Sequence, residues 1–214
     1  MSSTLLHIKD IRFSHAKAGQ PSALSPLFQH FSAQIPSGLT WVLGGEDRGK
    51  TTLLRLLAGE LTAQAGALYI NGVGLKDQAN AYKAQVFWVA PRSDAFDPLI
   101  VADYFASVQR SYLDFDAPLL AELVEGLSLA EHLNKAIYML SAGSKRKVWL
   151  AAAFASGAAV TLLDEPFAAL DMASIRFVTE LLADAAEHSR RAWVIADYEA
   201  SQGLSLAHMI DLGS

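Results

Sequence analysis

The chain carries the sequence Gly44-Gly45-Glu46-Asp47-Arg48-Gly49-Lys50-Thr51 between two segments of different apolar spacing. The run Leu39–Leu43 precedes it and is typical of a buried strand. The segment Thr52–Leu57 follows it and has the spacing of an amphipathic helix. The quoted residues fit the pattern G-x-x-x-x-G-K-[ST], which in a strand–loop–helix context is typical of a phosphate-binding loop. The sequence therefore predicts an α/β fold built around such a loop.

The residue types in this loop suit the binding of a nucleoside triphosphate. Gly44 and Gly49 allow backbone N–H groups to point at phosphate oxygens without side chains in the way. A helix that starts near Lys50 adds free N–H groups and the positive end of its dipole. We expect Lys50 to reach the outer phosphates and the Thr51 hydroxyl to bind Mg²⁺. The predicted nucleotide-binding residues of this segment are Gly44, Gly45, Glu46, Asp47, Arg48, Gly49, Lys50, Thr51 and Thr52.

The composition narrows the classes to which the chain can belong. It has 214 residues, 52% of them hydrophobic, and no cysteine, which excludes disulfides and thiolate metal sites. Its net charge of −5 argues against a protein held by charge on nucleic acid or acidic lipid. The start has no basic stretch followed by an apolar one, and the longest apolar stretch, Val148–Leu163, is interrupted at Ser156-Gly157. We therefore expect a soluble chain without a secretory signal, a membrane span or a nucleic-acid partner.

Apolar residues elsewhere predict the order of strands around the loop. Alternation in Leu6–Phe13 and Phe28–Ile35 predicts two strands, and Ala67–Ile70 ends at the turn pair Asn71-Gly72, which is typical of a hairpin. These segments predict an antiparallel flank. Continuous apolar runs predict strands covered on both faces, as in a parallel core. They are Leu39–Leu43, Val86–Ala90, Ala159–Leu163 and Ala192–Ala196.

A stretch with helical spacing, from about Asp103 to Met139, interrupts the α/β pattern. Further helices are expected after Ser144 and over Ser174–Glu187. We therefore predict one domain over residues 1–214, with a core of about 1–91 and 145–214 and a small helical subdomain of about 92–144.

An acidic pair follows one of the predicted core strands. Val160–Leu163 runs directly into Asp164-Glu165-Pro166. A carboxylate at the end of a central strand can hold Mg²⁺, and its neighbour can accept a proton from an attacking water. Asp164 suits the first role and Glu165 the second. Alone, such a pair is more often a helix-capping turn, but a phosphate loop in the same chain favours the catalytic interpretation.

Two further motifs complete a recognisable order. Leu140-Ser141-Ala142-Gly143-Ser144 opens the helix before the strand, and Ala169-Leu170-Asp171 follows the acidic pair. In the order and spacing of all four motifs the chain resembles the ATP-binding cassette (ABC) ATPases, whose signature reads Leu-Ser-Gly-Gly-Gln. The resemblance covers essentially the whole chain. It implies a P-loop (RecA-like) parallel-sheet core, with ATP and Mg²⁺ as ligands.

The resemblance also implies partners. In this family two cassettes pair head to tail, so Ser141 and Gly143 of one copy would close over the γ-phosphate held by the other copy's loop, with Asp171 linking the sites. The helical insertion would face a membrane-spanning permease, which would hold the cassette on the cytoplasmic, inner face of the membrane. ATP binding would pull the cassettes together and hydrolysis would release them. Homodimer or heterodimer, import or export, and the transported substrate all stay open.

Several residues depart from the family pattern near the reaction centre. Asp47 and Arg48 stand where small residues are usual. Arg92 stands in place of a glutamine that senses Mg²⁺ and water, and Tyr198 in place of a histidine that contacts the γ-phosphate. An arginine can neither accept a hydrogen bond nor bind a cation, and a phenol is neutral near pH 7. His15 takes the position of the aromatic residue that stacks on adenine, or is a surface loop residue.

These substitutions separate binding from turnover. We expect MgATP binding to be retained and hydrolysis to be slow, with Glu165, Lys50 and Tyr198 as the catalytic residues. The leading interpretation that the resemblance implies is an ATP-binding subunit that energises an ABC transporter. The alternatives are a hydrolysis-impaired regulatory or interaction subunit, a non-transport ABC ATPase, and a small-molecule P-loop kinase. Trp88, Tyr104 and Phe105 are either permease contacts or core residues.

Overall fold

A computed structural model of the protein describes residues 4–15, 26–91, 93–188, 190–200 and 203–213. Its parallel sheet consists of β3 (Gly38–Leu43), β6 (Val86–Trp88), β7 (Val160–Asp164), β8 (Ala192–Asp197) and β9 (Leu206–Asp211). The strand order is β6-β7-β8-β3-β9, and every neighbouring pair is parallel. The carboxyl ends of β3, β7 and β8 therefore meet at one edge of the sheet, where ligands bind in open α/β sheets.

A separate antiparallel sheet has the order β2-β1-β4-β5. It is formed by β1 (Thr4–Phe13), β2 (Phe28–Pro36), β4 (Ala65–Ile70) and β5 (Val73–Gly74). Asn71 and Gly72 join β4 to β5 with φ angles of 49° and 80°, as a tight hairpin turn requires. The parallel core and the antiparallel flank expected from the sequence are both confirmed.

The helices lie between and after the strands. They are α1 (Lys50–Leu57), α2 (Ala79–Lys83), α3 (Val101–Ser111), α4 (Ala117–Gly126), α5 (Ala142–Ala155) and α6 (Met172–His188). Short 3₁₀ turns, Ala130–His132 and Ile137–Met139, link α4 to α5. Among the described residues, no helix is long and apolar enough to cross a membrane.

Both faces of the parallel sheet are covered, which explains its continuous apolar strands. Side chains of β3 alternate between two core clusters. Leu39 and Trp41 pack with α3, α4, α5 and α6, whereas Val42 packs with α1 and the antiparallel sheet. Tyr104 and Phe105 are 1% and 3% exposed, so they are core residues and not permease contacts.

Some boundaries differ from those expected. Helix α5 begins at Ala142, inside the signature segment, because the Ser141 side chain accepts a hydrogen bond from Ser144 N and caps it. Strand β6 stops at Trp88, two residues before the predicted end, because its pairing with β7 ends there. Helix α2 and strand β9 were not predicted. Both are short, and β9 is an edge strand with a largely exposed pattern.

Arg191 joins the end of α5 to the start of β7. Its guanidinium donates hydrogen bonds to the carbonyls of Ala153, Phe154 and Ala158 at 2.8 to 2.9 Å. It also donates to the hydroxyls of Ser156 and Thr161 at 3.1 and 2.7 Å, and lies 4.5 Å from the Trp193 ring centre. Burial lowers the pKa of Arg191 to about 10. The helix end is therefore capped by a charged side chain from a distant loop.

Candidate functional site

A cavity of about 440 Å³ lies over the loop between β3 and α1. It is lined by His15, Leu27, Gly45, Asp47, Arg48, Gly49, Lys50, Thr51, Thr52, Glu165 and Tyr198. Most of the predicted loop residues, the predicted base and the residues expected near the adenine and the γ-phosphate are thus in one place. Gly44 and Glu46 belong to the loop but do not line the cavity.

The loop needs glycine just before α1. Gly49 has φ 90°, a left-handed conformation that side chains disfavour, and a Cβ there would lie 2.9 Å from the Leu27 side chain. Gly45 N donates to Gly213 O at 3.0 Å, which fixes the loop to the segment after β9. Asp47 is also left-handed, with φ 57°, and its side chain is exposed.

Lys50 is held across the loop. Its Nζ donates to Gly44 O at 2.6 Å and to Gly45 O at 2.9 Å, and only 6% of the residue is exposed. The same Nζ lies 3.8 Å from the centre of the Tyr198 ring, a cation–π contact. Negative charge, chiefly on Glu165, raises the pKa of Tyr198, so its hydroxyl is a protonated donor at neutral pH.

Thr51 and Asp164 form a pair of oxygen ligands. Thr51 Oγ1 donates to Asp164 Oδ2 at 2.7 Å, while Asp164 Oδ1 is buried without a hydrogen-bond partner in the described part of the chain. Burial raises the pKa of Asp164, and the bond from Thr51 opposes that shift. A bound cation would satisfy the unpartnered oxygen, so the pair fits Mg²⁺, which typically takes few protein ligands and several phosphate oxygens. Accordingly, the described residues contain no group of three or more His, Cys, Asp or Glu side chains able to hold a metal.

Glu165 has an unusual backbone conformation. Its φ is 46°, in the left-handed region, which costs on the order of 1 to 3 kcal/mol for a residue with a side chain. Glu165 N donates to Ala196 O on β8 at 2.8 Å, and Ala168 N donates to Glu165 O at 3.1 Å. These bonds hold the chain in a conformation it would not adopt freely, and the side chain lines the cavity.

One basic residue near this turn was missed by the sequence analysis. Arg146 on α5 donates from NH1 to Asp164 O at 2.7 Å. Burial is the main cause of its lowered pKa, and the carboxylates of Asp164, Glu165 and Asp197 act in the opposite direction. The only sequence signal was the basic run Lys145-Arg146-Lys147 after the signature segment.

The signature residues lie away from the cavity. Ser141 caps α5, and a Cβ on Gly143 would overlap the carbonyl oxygen of Ala169. Asp171 accepts from Lys147 Nζ at 2.7 Å and from Ser174 N at 2.8 Å. Neither Ser141 nor Gly143 lines the cavity over the phosphate loop of its own chain.

His15 and Arg92 are the last two of the predicted departures from the family pattern. His15 Nε2 lies 3.2 Å from Thr52 Oγ1, and its ring contacts Phe13 edge to face at 5.1 Å. His15 therefore sits on the cavity wall rather than away from it. Arg92 lies outside the described residues.

The fold and the cavity together define a P-loop nucleotide-binding domain. The chain belongs to the ABC transporter family, because the family's sequence model, described as "ABC transporter", matches residues 28–168. The family resemblance is thereby confirmed.

Curated relatives include both importers and exporters. The chain is 30% identical to the cytochrome c biogenesis ATP-binding export protein CcmA of Pseudomonas savastanoi pv. phaseolicola, over 87% of this chain and 88% of that protein. It is 31% identical to the Fe(3+) ions import ATP-binding protein FbpC 2 of Pectobacterium atrosepticum, over 80% of this chain. The matched region spans only 51% of that importer subunit, about half its length.

Solved structures share the fold. A putative ABC transporter ATP-binding protein from Pyrococcus furiosus has a TM-score of 0.75 at 22% identity, covering 97% of this chain and 96% of its own. A dimeric ATP-binding cassette in a post-hydrolysis state, bound to ADP and Pi, also has a TM-score of 0.75, at 17% identity, covering 91% and 88%.

Proposed function

We propose that this protein binds MgATP and hydrolyses it slowly, as the nucleotide-binding subunit that energises an ABC transporter. It would act as a single ABC ATPase domain. The observation that carries the proposal is the convergence of Lys50, Thr51 and Glu165 on one cavity, with Asp164 bonded to Thr51.

The loop supplies the contacts for the phosphates. Lys50, Thr51 and Thr52 at the start of α1 line the cavity, and the free N–H groups and dipole of a helix start favour a negative charge there. Lys50 Nζ would exchange its bonds to the Gly44 and Gly45 carbonyls for phosphate oxygens. Thr51 and Asp164 would hold Mg²⁺, whose charge offsets that developing on the β- and γ-phosphate oxygens.

Glu165 suits the role of general base. Its carboxylate lines the cavity and can accept a proton from a water that attacks the γ-phosphate. Tyr198 offers a neutral hydroxyl where a histidine is usual in the family, so it donates one hydrogen bond without a positive charge. A hydrogen bond between an imidazolium and a phosphate has charge on both partners and is stronger than one in which only the phosphate is charged, so the tyrosine favours slow turnover. The arginine at position 92 favours slow turnover for a different reason, because it can neither accept a hydrogen bond from water nor bind a cation as a glutamine can.

Closure of the site would require a second cassette. Ser141 and Gly143 stand at the start of α5, away from the cavity of their own chain, so they are free to serve a partner's nucleotide. The similar cassette that was solved as a dimer with ADP and Pi supports this arrangement.

An exposed apolar surface supports docking to a permease. Leu99 and Ile100 are 36% and 40% exposed, and Tyr138 and Met139 are 66% and 60% exposed. The two segments are joined by hydrogen bonds from Ile137 N to Leu99 O and from Tyr138 N to Asp97 O. Such a patch at the edge of the helical region suits an apolar partner segment. Docking there would hold the subunit on the cytoplasmic face of the membrane.

A second candidate is a nucleotide-binding regulatory subunit with negligible hydrolysis. The observation that favours it is the Tyr198 ring over Lys50 Nζ, at 3.8 Å, where the family has a histidine. In this case ATP would hold two chains together without being consumed. The sequence also left a non-transport ABC ATPase and a small-molecule P-loop kinase as alternatives, and no feature of the described residues favours either.

The test compares ATP turnover of the purified protein with that of its Glu165→Gln variant. We expect slow but measurable turnover in the wild type and a fall of about a hundredfold or more in the variant, because a general base typically contributes 10²- to 10⁴-fold. MgATP affinity, measured by calorimetry, should be unchanged within about threefold. Equal rates would remove hydrolysis from the proposal and leave the regulatory candidate. If the wild type does hydrolyse ATP faster than the variant, its turnover is measured again with a permease added. Stimulation by the permease would indicate a transporter subunit, and an unchanged rate would indicate a free-standing ATPase.

A further inference from the structure

Arg146 reaches from the signature helix to the turn that carries the proposed general base. It lies one turn into α5, and its NH1 donates to Asp164 O at 2.7 Å. The side chain is half-buried and lines a small cavity with Asp164 and Trp149, not the cavity over the phosphate loop. Arg146 therefore contacts the Asp164-Glu165 turn from outside the phosphate-loop cavity, and it is not placed to contact a nucleotide bound there.

The peptide unit before Glu165 is held from both sides. Its carbonyl, that of Asp164, accepts from Arg146, and its N–H, that of Glu165, donates to Ala196 O at 2.8 Å. The next peptide unit is held as well, since Glu165 O accepts from Ala168 N at 3.1 Å. A left-handed φ of 46° persists at Glu165 because the surrounding bonds over-determine it.

Among the hydrogen bonds that hold this turn, the one from Arg146 to Asp164 O comes from a side chain, whereas the others join backbone groups. It comes from a different element than the strand pairing, and it carries charge, which makes it stronger than a neutral bond. The positive charge of the guanidinium also opposes the negative charges of Asp164, Glu165 and Asp197, which act to raise the pKa of Arg146. Removal of this cation would leave the acidic turn without its hydrogen bond to Asp164 O and without that opposing charge.

We propose that Arg146 is a positioning residue, which holds the Asp164–Glu165 peptide so that the Glu165 carboxylate faces the γ-phosphate side of the cavity. The inference rests on the proposed function, because it acts through Glu165 as the general base. It assigns to the signature helix a role within its own chain, in addition to any contact with a partner's nucleotide.

The experiment measures kcat and KM for ATP in Arg146→Met, with Lys145→Met as the matched control. Lys145 is the adjacent basic residue on α5, and its Nζ bonds Asp97 at 2.6 Å, away from the acidic turn. Arg146→Met should lower kcat about tenfold while KM changes less than about twofold. Lys145→Met should keep both within about twofold. Arg146→Lys, which keeps a charged donor, should fall between the wild type and Arg146→Met.

Two further readouts separate positioning from general damage. In the Glu165→Gln background, adding Arg146→Met should cause no further loss of rate, because both changes act on the same group, the Glu165 carboxylate. In the nucleotide-free protein, hydrogen exchange of the Glu165 amide should become faster in Arg146→Met but not in Lys145→Met. If Arg146→Met does not fold, Arg146→Lys is measured by the same criteria, with a smaller expected loss.

The outcomes are distinguishable. An unchanged kcat in Arg146→Met, or losses that add fully to those of Glu165→Gln, would overturn the inference while leaving the proposed function intact. Equal turnover of wild type and Glu165→Gln would overturn hydrolysis through Glu165, and the role of Arg146 with it. Faster exchange at Glu165 together with a kcat loss that is not additive supports the inference.

Discussion

The carboxyl end of the parallel sheet and the start of α5 differ in whether their functional groups come together at a cavity of the same chain. At the sheet end, Thr51 already bonds Asp164, and Lys50 is fixed by two carbonyls beside the same cavity. At the start of α5, Ser141 only caps its own helix and Gly143 only packs on Ala169. The first region brings together the groups proposed to hold MgATP, whereas neither Ser141 nor Gly143 lines the cavity over the phosphate loop of its own chain.

Under the proposed function, nucleotide binding and closure of the site would depend on separate kinds of interaction. Binding would depend on charge and on backbone donors that are preorganised by the loop. Closure would depend on how accurately the start of α5 is held for presentation to another chain. Substitutions in the two regions should therefore affect different measurements, which is how the comparison can be tested.

The largest effect is expected from Lys50→Met. Loss of the ammonium removes charge-assisted bonds to the phosphates, and MgATP affinity of the single chain should fall by about a hundredfold or more. Ser141→Ala is the counterpart in the other region and should keep this affinity within about twofold, since Ser141 does not line the cavity. Isothermal titration calorimetry measures both. Equal losses in the two variants would contradict the division into two regions.

Gly143→Ala should have the next largest effect, this time on folding. The added Cβ would overlap Ala169 O, so the free energy of unfolding should fall by about 1 to 3 kcal/mol. MgATP binding should survive, while ATP-driven pairing of the Glu165→Gln protein should be lost in size-exclusion chromatography. Ala142→Gly, at the neighbouring position, should cost no more than about 1 kcal/mol in urea unfolding. A similar cost for both variants would show that the contact with Ala169 is unimportant.

Tyr198→His should raise turnover by about tenfold, since an imidazolium adds a positive charge to the phosphate contact, which is worth roughly 1.4 kcal/mol. Tyr198→Phe keeps an aromatic ring beside Lys50 but removes the hydroxyl, so it should give no gain. The measurement is kcat at saturating MgATP. A gain in Tyr198→Phe equal to that in Tyr198→His would mean that the phenol hinders the reaction, and that the imidazole adds nothing.

The smallest effect concerns Asp171 and acid pH. Hydrogen bonds from Lys147 and Ser174 hold the pKa of Asp171 well below its usual range. A lowered pKa means that the carboxylate stabilises the folded state above about pH 4, and that this contribution is lost as the pH falls towards the folded-state value. Asp171→Asn should therefore show a shallower loss of thermal stability between about pH 5 and 3 than the wild type. Parallel curves would contradict this assignment.

Sequence patterns predicted the regions whose structure is decided locally. The phosphate loop follows from glycine, lysine and threonine at fixed spacing, and the position of Asp164 follows from the strand that ends there. Arg146 could not be predicted, because its bond to Asp164 O depends on how α5 packs against β7. The left-handed backbone of Glu165 is likewise imposed by partners on other elements and not by the residue type.

Arg191 and Arg146 together fix both ends of α5, the helix that begins in the signature segment, to strand β7. It ties the last turn of α5 to the start of β7 through several hydrogen bonds, while Arg146 ties the first turns of α5 to the end of the same strand. Sliding of the helix along the strand would break bonds at both ends, whereas tilting of the two together would keep them. In the proposed dimer, a displacement of Ser141 by a second chain would therefore be transmitted to Asp164 through Arg146, which lies at the same end of the helix.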